Sequence, residues 1–149
     1  AWIILVRPVW LAKTKAETDA LLARLIDPAR RERQIRLLDL GFEAPDFEAA
    51  MRVLDKTLHD IEDALEAHDC LVDDKPTLAD LAVLPYAIAV EKFGLDAMLD
   101  ERPRVRDWLD MWRKSPTWDA TAPWHMGDDE RAQVRARAEG PWRRIATGT

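Results

Sequence analysis

An all-α helical bundle is the fold class this sequence predicts, and three observations carry it. Apolar residues recur at spacings of three and four along the long segments, most plainly Phe47, Met51, Leu54, Leu58, Ile61 and Leu65, which is the period of one helix face. No alternation of period two is sustained, and no Asn-Gly or Asp-Gly pair offers a hairpin turn. Helix punctuation is regular: Pro28, Pro45 and Pro103 stand at segment starts, and Ser115-Pro116 and Gly140-Pro141 at segment ends. The 149 residues fit one domain over 1–149, and a chain of that length buries roughly 70% of its unfolded surface.

Five helical segments stand out, followed by a last, alanine-rich one. The first runs from about Trp2 to Ile26 with Pro8 inside it. Proline within a helix costs about 3 kcal/mol, so a bend or a break is expected there. The second opens on Asp27 as N-cap with Pro28 in the first turn, carries the basic run from Ala29 to Arg36, and ends at Gly41. The third starts at Pro45 and holds the seam from Phe47 to Leu65. The fourth, "KPTLADLAVLPYAIAVEKFG", has almost no polar position between Leu78 and Val90 beyond Asp80 and the Tyr86 hydroxyl. A helix apolar all round is expected to be wrapped by other helices, with Tyr86 in the core. The fifth begins near Pro103 and keeps Val105, Trp108, Leu109 and Trp112 on one face. The last opens on Asp128 as candidate cap, has only alanines and Val134 as its apolar face, and is expected to lie on the surface and stop at Gly140-Pro141.

Composition narrows the function classes. Charged residues make up 34% and hydrophobic ones 48%, which fits neither a disordered nor a membrane-spanning chain. The net charge of −6 argues against nonspecific nucleic-acid binding, which needs a basic face to displace counterions. The basic run from Ala29 to Arg36 reads as a solvated helix face. The opening "AWIILV" has no basic leader and no small-residue cleavage site, so no signal peptide is expected. Because the first residue is Ala1 and apolar sequence follows at once, the chain reads as one entered part-way or processed. One cysteine, Cys70, allows no internal disulfide and fits a cytoplasmic location. His59, His68 and His125 do not stand at metal-ligand spacing, so no metal is expected. Trp108, Trp112 and Trp118 read as anchors between helices; Trp124 and Trp142 stand in the tail and could fold over a pocket.

Thr77-Leu78-Ala79-Asp80 fits a capping box, in which the threonine hydroxyl accepts a backbone N–H and the carboxylate reaches back to the N–H of Thr77. Asp80 is therefore read as structural. A loop ending in Pro76, this box opening an apolar helix, and "ERPRVRDWLDMW" as the next helix follow in order. The combination resembles the C-terminal, all-α domain of cytosolic glutathione transferases. The likeness covers Phe47 to Ala120, and upstream "LIDPARRERQIRLLDLGF" resembles the linker of a subset with β-etherases, dehalogenating transferases and ganglioside-induced differentiation-associated proteins.

The resemblance implies a helical domain that shapes the pocket for a hydrophobic electrophile and supports a homodimer. Such proteins carry an N-terminal thioredoxin-like domain that binds glutathione, the co-substrate, and activates its thiol. This chain shows no such pattern, so no catalytic residue carries over, and the thioredoxin-like domain is the expected partner. The resemblance places the pocket-facing side chains on the first helix. Arg7 and Trp10 are the first candidates there, with Lys13 and Thr14 behind them; a cation beside aromatic surface suits an aromatic or anionic ligand. Its opening residues Trp2, Ile3, Val6 and Trp10 are expected to present apolar surface. The alternative is a non-enzymatic helical module of the same fold, used for protein–protein assembly.

Overall fold

Proline sets how the chain begins. In the computed structural model, which describes residues 2–116, 118 and 127–147, a π-helical turn spans Trp2–Val6 and passes into α1, Arg7–Leu11. Pro8 has no N–H for the Ile4 carbonyl and its ring crowds it; the wider π turn accommodates both. The break comes later than Pro8, at Ala12–Thr14, where Thr14 caps α2, Lys15–Ala23. Ile3 and Ile4 turn into the core, 6% and 1% exposed. The expectation that Ile3 presents surface is thus corrected; Val9 and Leu11 are the exposed apolar residues of this segment.

Helix α3 spans Pro28–Leu40, with the Asp27 carboxylate accepting from the Ala29 N–H at 3.0 Å and Pro28 in the first turn. Arg31 reaches back to the Leu22 and Leu25 carbonyls, closing the carboxyl end of α2. Arg7 does the same for α3. After Gly41 a short 3-10 turn, Gly41–Glu43, leads into α4, Pro45–Ala64. The seam read from the sequence is buried at Phe47, Met51, Leu58, Ile61 and Leu65 and half-buried at Leu54. Phe42 meets Phe47 edge-on at 5.1 Å between ring centroids.

Helix α5, Leu78–Lys92, leads through the 3-10 turn Asp96–Leu99 to α6, Pro103–Arg113. On α6, Val105, Trp108, Leu109 and Trp112 are all buried, with Trp108 and Trp112 packed edge to face. Arg102 gives α6 no side-chain cap. Glu62 supplies it from α4: its carboxylate accepts from the backbone N–H of Val105 at 2.9 Å and of Arg104 at 3.2 Å. Near the start of α6, Arg102 pairs with Asp55 at 2.5 Å. These contacts fasten α6 across α4.

Two expectations about α5 are corrected. Only Asp80, Ala87 and Val90 of this helix are buried, while Leu78 and Tyr86 are 83% and 68% exposed. Tyr86 is therefore a surface residue. The sequence shows no polar stripe because both faces are apolar, yet α6 and the 3-10 turn cover one of them. The last helix, α7, Asp128–Thr147, also departs from expectation, running through Gly140-Pro141. Gly140 and Pro141 leave the i−4 ladder one donor short but do not end it. Val134 of α7 is buried in the common core, and α7 packs near the opening π turn and α4. The described residues form an all-α fold with no strand. None of their helices is long and apolar enough to cross a membrane.

Candidate functional site

Four side chains were expected to face a ligand from the first helix, and the fold separates them. Arg7 donates from Nε to the Leu38 carbonyl at 2.8 Å and from Nη2 to the Asp39 carbonyl at 3.4 Å. Its guanidinium lies over Gly41, where a Cβ would stand 2.8 Å from Cζ. The Arg7 charge thus sits at the carboxyl end of α3, where the helix dipole favours it. Thr14 is equally occupied. Its hydroxyl accepts from the Glu17 N–H at 3.3 Å and donates to the Glu17 carboxylate at 2.8 Å, and its own N–H donates to that carboxylate at 2.8 Å. Those bonds to the Thr14 hydroxyl and N–H hold the Glu17 carboxyl below its ordinary range, with Lys13 adding to them. The Thr-x-x-Glu spacing of this box was legible in the sequence.

Trp10 and Lys13 are placed differently. The Ala12 N–H bonds to the Pro8 carbonyl and the Lys13 N–H to the Trp10 carbonyl, which closes α1 at the start of the Ala12–Thr14 break. Val6 lies in the π turn, Val9 and Trp10 lie in α1, and Lys13 lies in the bend that follows it. Val9 is 59% exposed, Lys13 is exposed, and Trp10 and Val6 are half-buried. Val9 is an exposed apolar residue of this segment that the sequence reading did not single out.

Thr77 and Asp80 form the capping box at the head of α5. The Thr77 hydroxyl accepts from the Ala79 N–H at 3.2 Å, and Oδ2 of Asp80 accepts from the Thr77 N–H and hydroxyl, both at 2.8 Å. Oδ1 takes two more donors: the Leu71 N–H at 2.9 Å and the Trp108 indole at 3.1 Å. Asp80 is fully buried. Burial pushes its carboxyl up, but the bonds from Leu71, Thr77 and Trp108 together outweigh it and hold the group below its ordinary value. A carboxylate so enclosed has no position left for a substrate proton. Beside it, burial and then the charge of Asp80, Asp69, Asp74 and Asp73 raise the Cys70 thiol, leaving it protonated and inert.

A cleft lies between the end of α5, the 3-10 turn, α6 and α7, as two adjoining cavities of about 300 and 420 Å³ that share Glu91, Asp96 and Arg135. Its charges are matched internally. Arg135 pairs with Asp96 at 2.8 Å, Arg106 with Asp100 at 2.5 Å, and Arg113 with both Glu91 and Asp110. Trp118 and Ile88 add the apolar part of the wall. Among the described residues, His68, Asp73 and Asp74 bring one ligand atom each within 4.8 Å of one another, all on exposed side chains in the loop before α5. Trp124 and His125 lie outside the described residues, as do the side chains of Trp2 and Trp142.

Residues 7–116 match the family model described as "Glutathione S-transferase, C-terminal domain". No match was found among curated proteins or among solved structures.

Proposed function

Because this chain belongs to the glutathione S-transferase C-terminal domain family, we propose that it forms the electrophile-binding wall of a glutathione-dependent transferase. The observation that supports the reading is the apolar surface of the first segment, where Val9 and Leu11 are exposed and Val6 and Trp10 half-buried while Ile3 and Ile4 turn into the core. A thioredoxin-like domain would bind glutathione and take the proton from its thiol. The thiolate sulfur then bonds to the electrophilic carbon held against α1, and the leaving group departs with the electron pair of the broken bond. The roles of this chain are to hold the electrophile, orient it and exclude water; a homodimer and a cytoplasmic setting belong to the same reading. Arg7 and Thr14 serve it as positioning residues, fixing α1 against α3 and the start of α2.

The test is binding of a neutral aryl halide to the 149-residue chain, followed by methyl and indole NMR shifts. Shifts confined to Val6, Val9 and Trp10 and lost in Val9→Asp support the reading. Shifts elsewhere, or none, refute it.

A second reading is favoured by a different surface. Leu78, Leu81 and Tyr86 leave one face of α5 uncovered, and an exposed apolar face of this kind suits protein docking. In that case the chain is a non-enzymatic assembly module of the same fold.

A further inference from the structure

We propose that the loop leading into α5 binds one divalent transition-metal ion, ligated by the His68 imidazole and the Asp73 and Asp74 carboxylates. One ligand atom from each lies within 4.8 Å of the other two. His68 Nδ1 and Oδ1 of Asp74 stand 3.3 Å apart. Two ligands at about 2.0–2.1 Å from one zinc ion stand roughly 3–3.4 Å apart at octahedral to tetrahedral angles, so this pair is already at ligating separation. Bringing in the third ligand takes about 1 Å of side-chain movement, and all three side chains are exposed. The backbone holds them in place. The Cys70 N–H donates to the Asp73 carbonyl at 3.1 Å and folds the loop back on itself. The Asp74 N–H donates to Oδ1 of Asp73 at 2.8 Å and the Asp69 N–H to Oδ1 of Asp74 at 3.4 Å, which orients both carboxylates. The Leu71 N–H ties the same loop to the buried Asp80 at 2.9 Å.

The charge of the loop is an independent observation. Carboxylates on the neighbouring helices have basic partners: Glu48 pairs with Arg52, Asp60 with Lys56 and Asp110 with Arg113. Asp69, Asp73 and Asp74 have no lysine or arginine partner among the described residues; Asp74 meets only His68. Their combined field reaches the buried Cys70 thiol and adds to the rise that burial causes there. A dication answers that field, and the imidazole decides which dication. Magnesium and calcium take oxygen ligands, whereas an imidazole beside carboxylates suits zinc, nickel and copper. The remaining coordination positions face solvent and are filled by water. Spacing between histidines gives no sign of this site, because its other two ligands are carboxylates five and six positions after His68.

Calorimetric titration of the 149-residue chain with Ni²⁺, Zn²⁺, Mg²⁺ and Ca²⁺ in a non-chelating buffer tests the site. One Ni²⁺ or Zn²⁺ per chain is expected, bound at least about tenfold more tightly than Mg²⁺ or Ca²⁺. His68→Ala should weaken Ni²⁺ binding at least about tenfold, as should Asp73→Asn with Asp74→Asn. His59 is the control, an exposed histidine of α4 beside a single carboxylate, Asp63, at 3.6 Å; His59→Ala should leave the affinity unchanged. Saturating Ni²⁺ should raise the melting temperature of the unaltered chain and not that of His68→Ala. Melting of the metal-free variants at the unaltered temperature excludes unfolding as the cause of lost binding. Absence of Ni²⁺ and Zn²⁺ binding overturns the proposal, as does binding that survives His68→Ala or falls equally in His59→Ala. Equal affinity for Ca²⁺ and Ni²⁺ also overturns it, because the loop would then attract cations through its carboxylates alone.

Discussion

The Trp108 indole N–H donates to the Asp80 carboxylate at 3.1 Å and so ties the middle of α6 to the first turn of α5. The same carboxylate holds the Leu71 and Thr77 backbone, so one buried side chain joins the loop, the helix start and the next helix. Replacing it by alanine leaves those donors buried without partners. Each unsatisfied buried donor costs about 1–3 kcal/mol, and a lost cap about 1 kcal/mol. Asp80→Ala is therefore expected to lower stability by at least about 3 kcal/mol in urea unfolding, and Trp108→Phe by less. A midpoint that Asp80→Ala does not move would remove Asp80 from this role.

The same group gives a pH dependence with a defined sign. The Asp80 carboxyl lies below its ordinary value in the folded protein, so its contribution is fully present above the unfolded carboxyl range, about pH 3.9. It is lost as pH falls through the folded value. The stability gap between the unaltered chain and Asp80→Asn should be constant from neutral pH to about pH 5 and should narrow on acidification below about pH 4. Urea unfolding of both proteins across that range measures it. A gap that widens in acid contradicts the assignment.

Two glycines with positive φ should respond differently to alanine. Gly41 has φ +56° with ψ −122° and Gly94 φ +70°, and a sparsely populated backbone of this kind costs an alanine about 1–3 kcal/mol. At Gly41 the new Cβ meets the movable Arg7 guanidinium, whereas at Gly94 it lands 2.2 Å from the Arg135 Cα of α7. Gly41→Ala should cost little beyond the backbone strain. Gly94→Ala should also displace α7, which hydrogen exchange reads as protection lost in α7 and kept in α4. Equal effects at the two sites would show that α7 does not depend on the close approach at Gly94.

Glu62 is expected to behave as a cap supplied from another helix. Its carboxylate bonds to the N–H groups of Arg104 and Val105, and Glu62→Ala should cost about 2 kcal/mol, the upper range for a lost cap. Glu62→Gln keeps one acceptor oxygen and replaces the other by an NH2 donor, so it should cost less than the alanine but still be destabilising. Thermal unfolding of both variants checks the order.

Helix starts were legible wherever a residue type announced them. Asp27-Pro28, Pro45 and the Thr77–Asp80 box each mark a helix at their place in the structure, and the spacing from Phe47 to Leu65 gave the α4 seam. The Thr14–Glu17 box was equally readable, but proline is the stronger breaker and drew the expected bend or break to Pro8. Contacts between distant residues had no local signal: Glu62 reaches α6 across 43 positions to Val105, and Trp108 reaches Asp80 across 28. Coverage of α5 was not legible either. An apolar stretch shows that a face can be buried, not which neighbours arrive to bury it, and Leu78 and Tyr86 remain uncovered. On α1, the segment was legible but the destination of Arg7 was not, because the Leu38 and Asp39 carbonyls that hold it stand 31 and 32 positions away.

The electrophile-wall role is tested most directly by the rate at which glutathione is conjugated to an aryl halide by the 149-residue chain alone and by the chain joined to a thioredoxin-like domain of the same family. No turnover above the uncatalysed rate is expected for the chain alone, and turnover is expected for the joined protein. Val9→Asp should lower that turnover at least about tenfold, with KM for glutathione unchanged; a tenfold change is about 1.4 kcal/mol of transition-state stabilisation. Conjugation by the chain alone, or a joined protein whose turnover is indifferent to Val9→Asp, would contradict it.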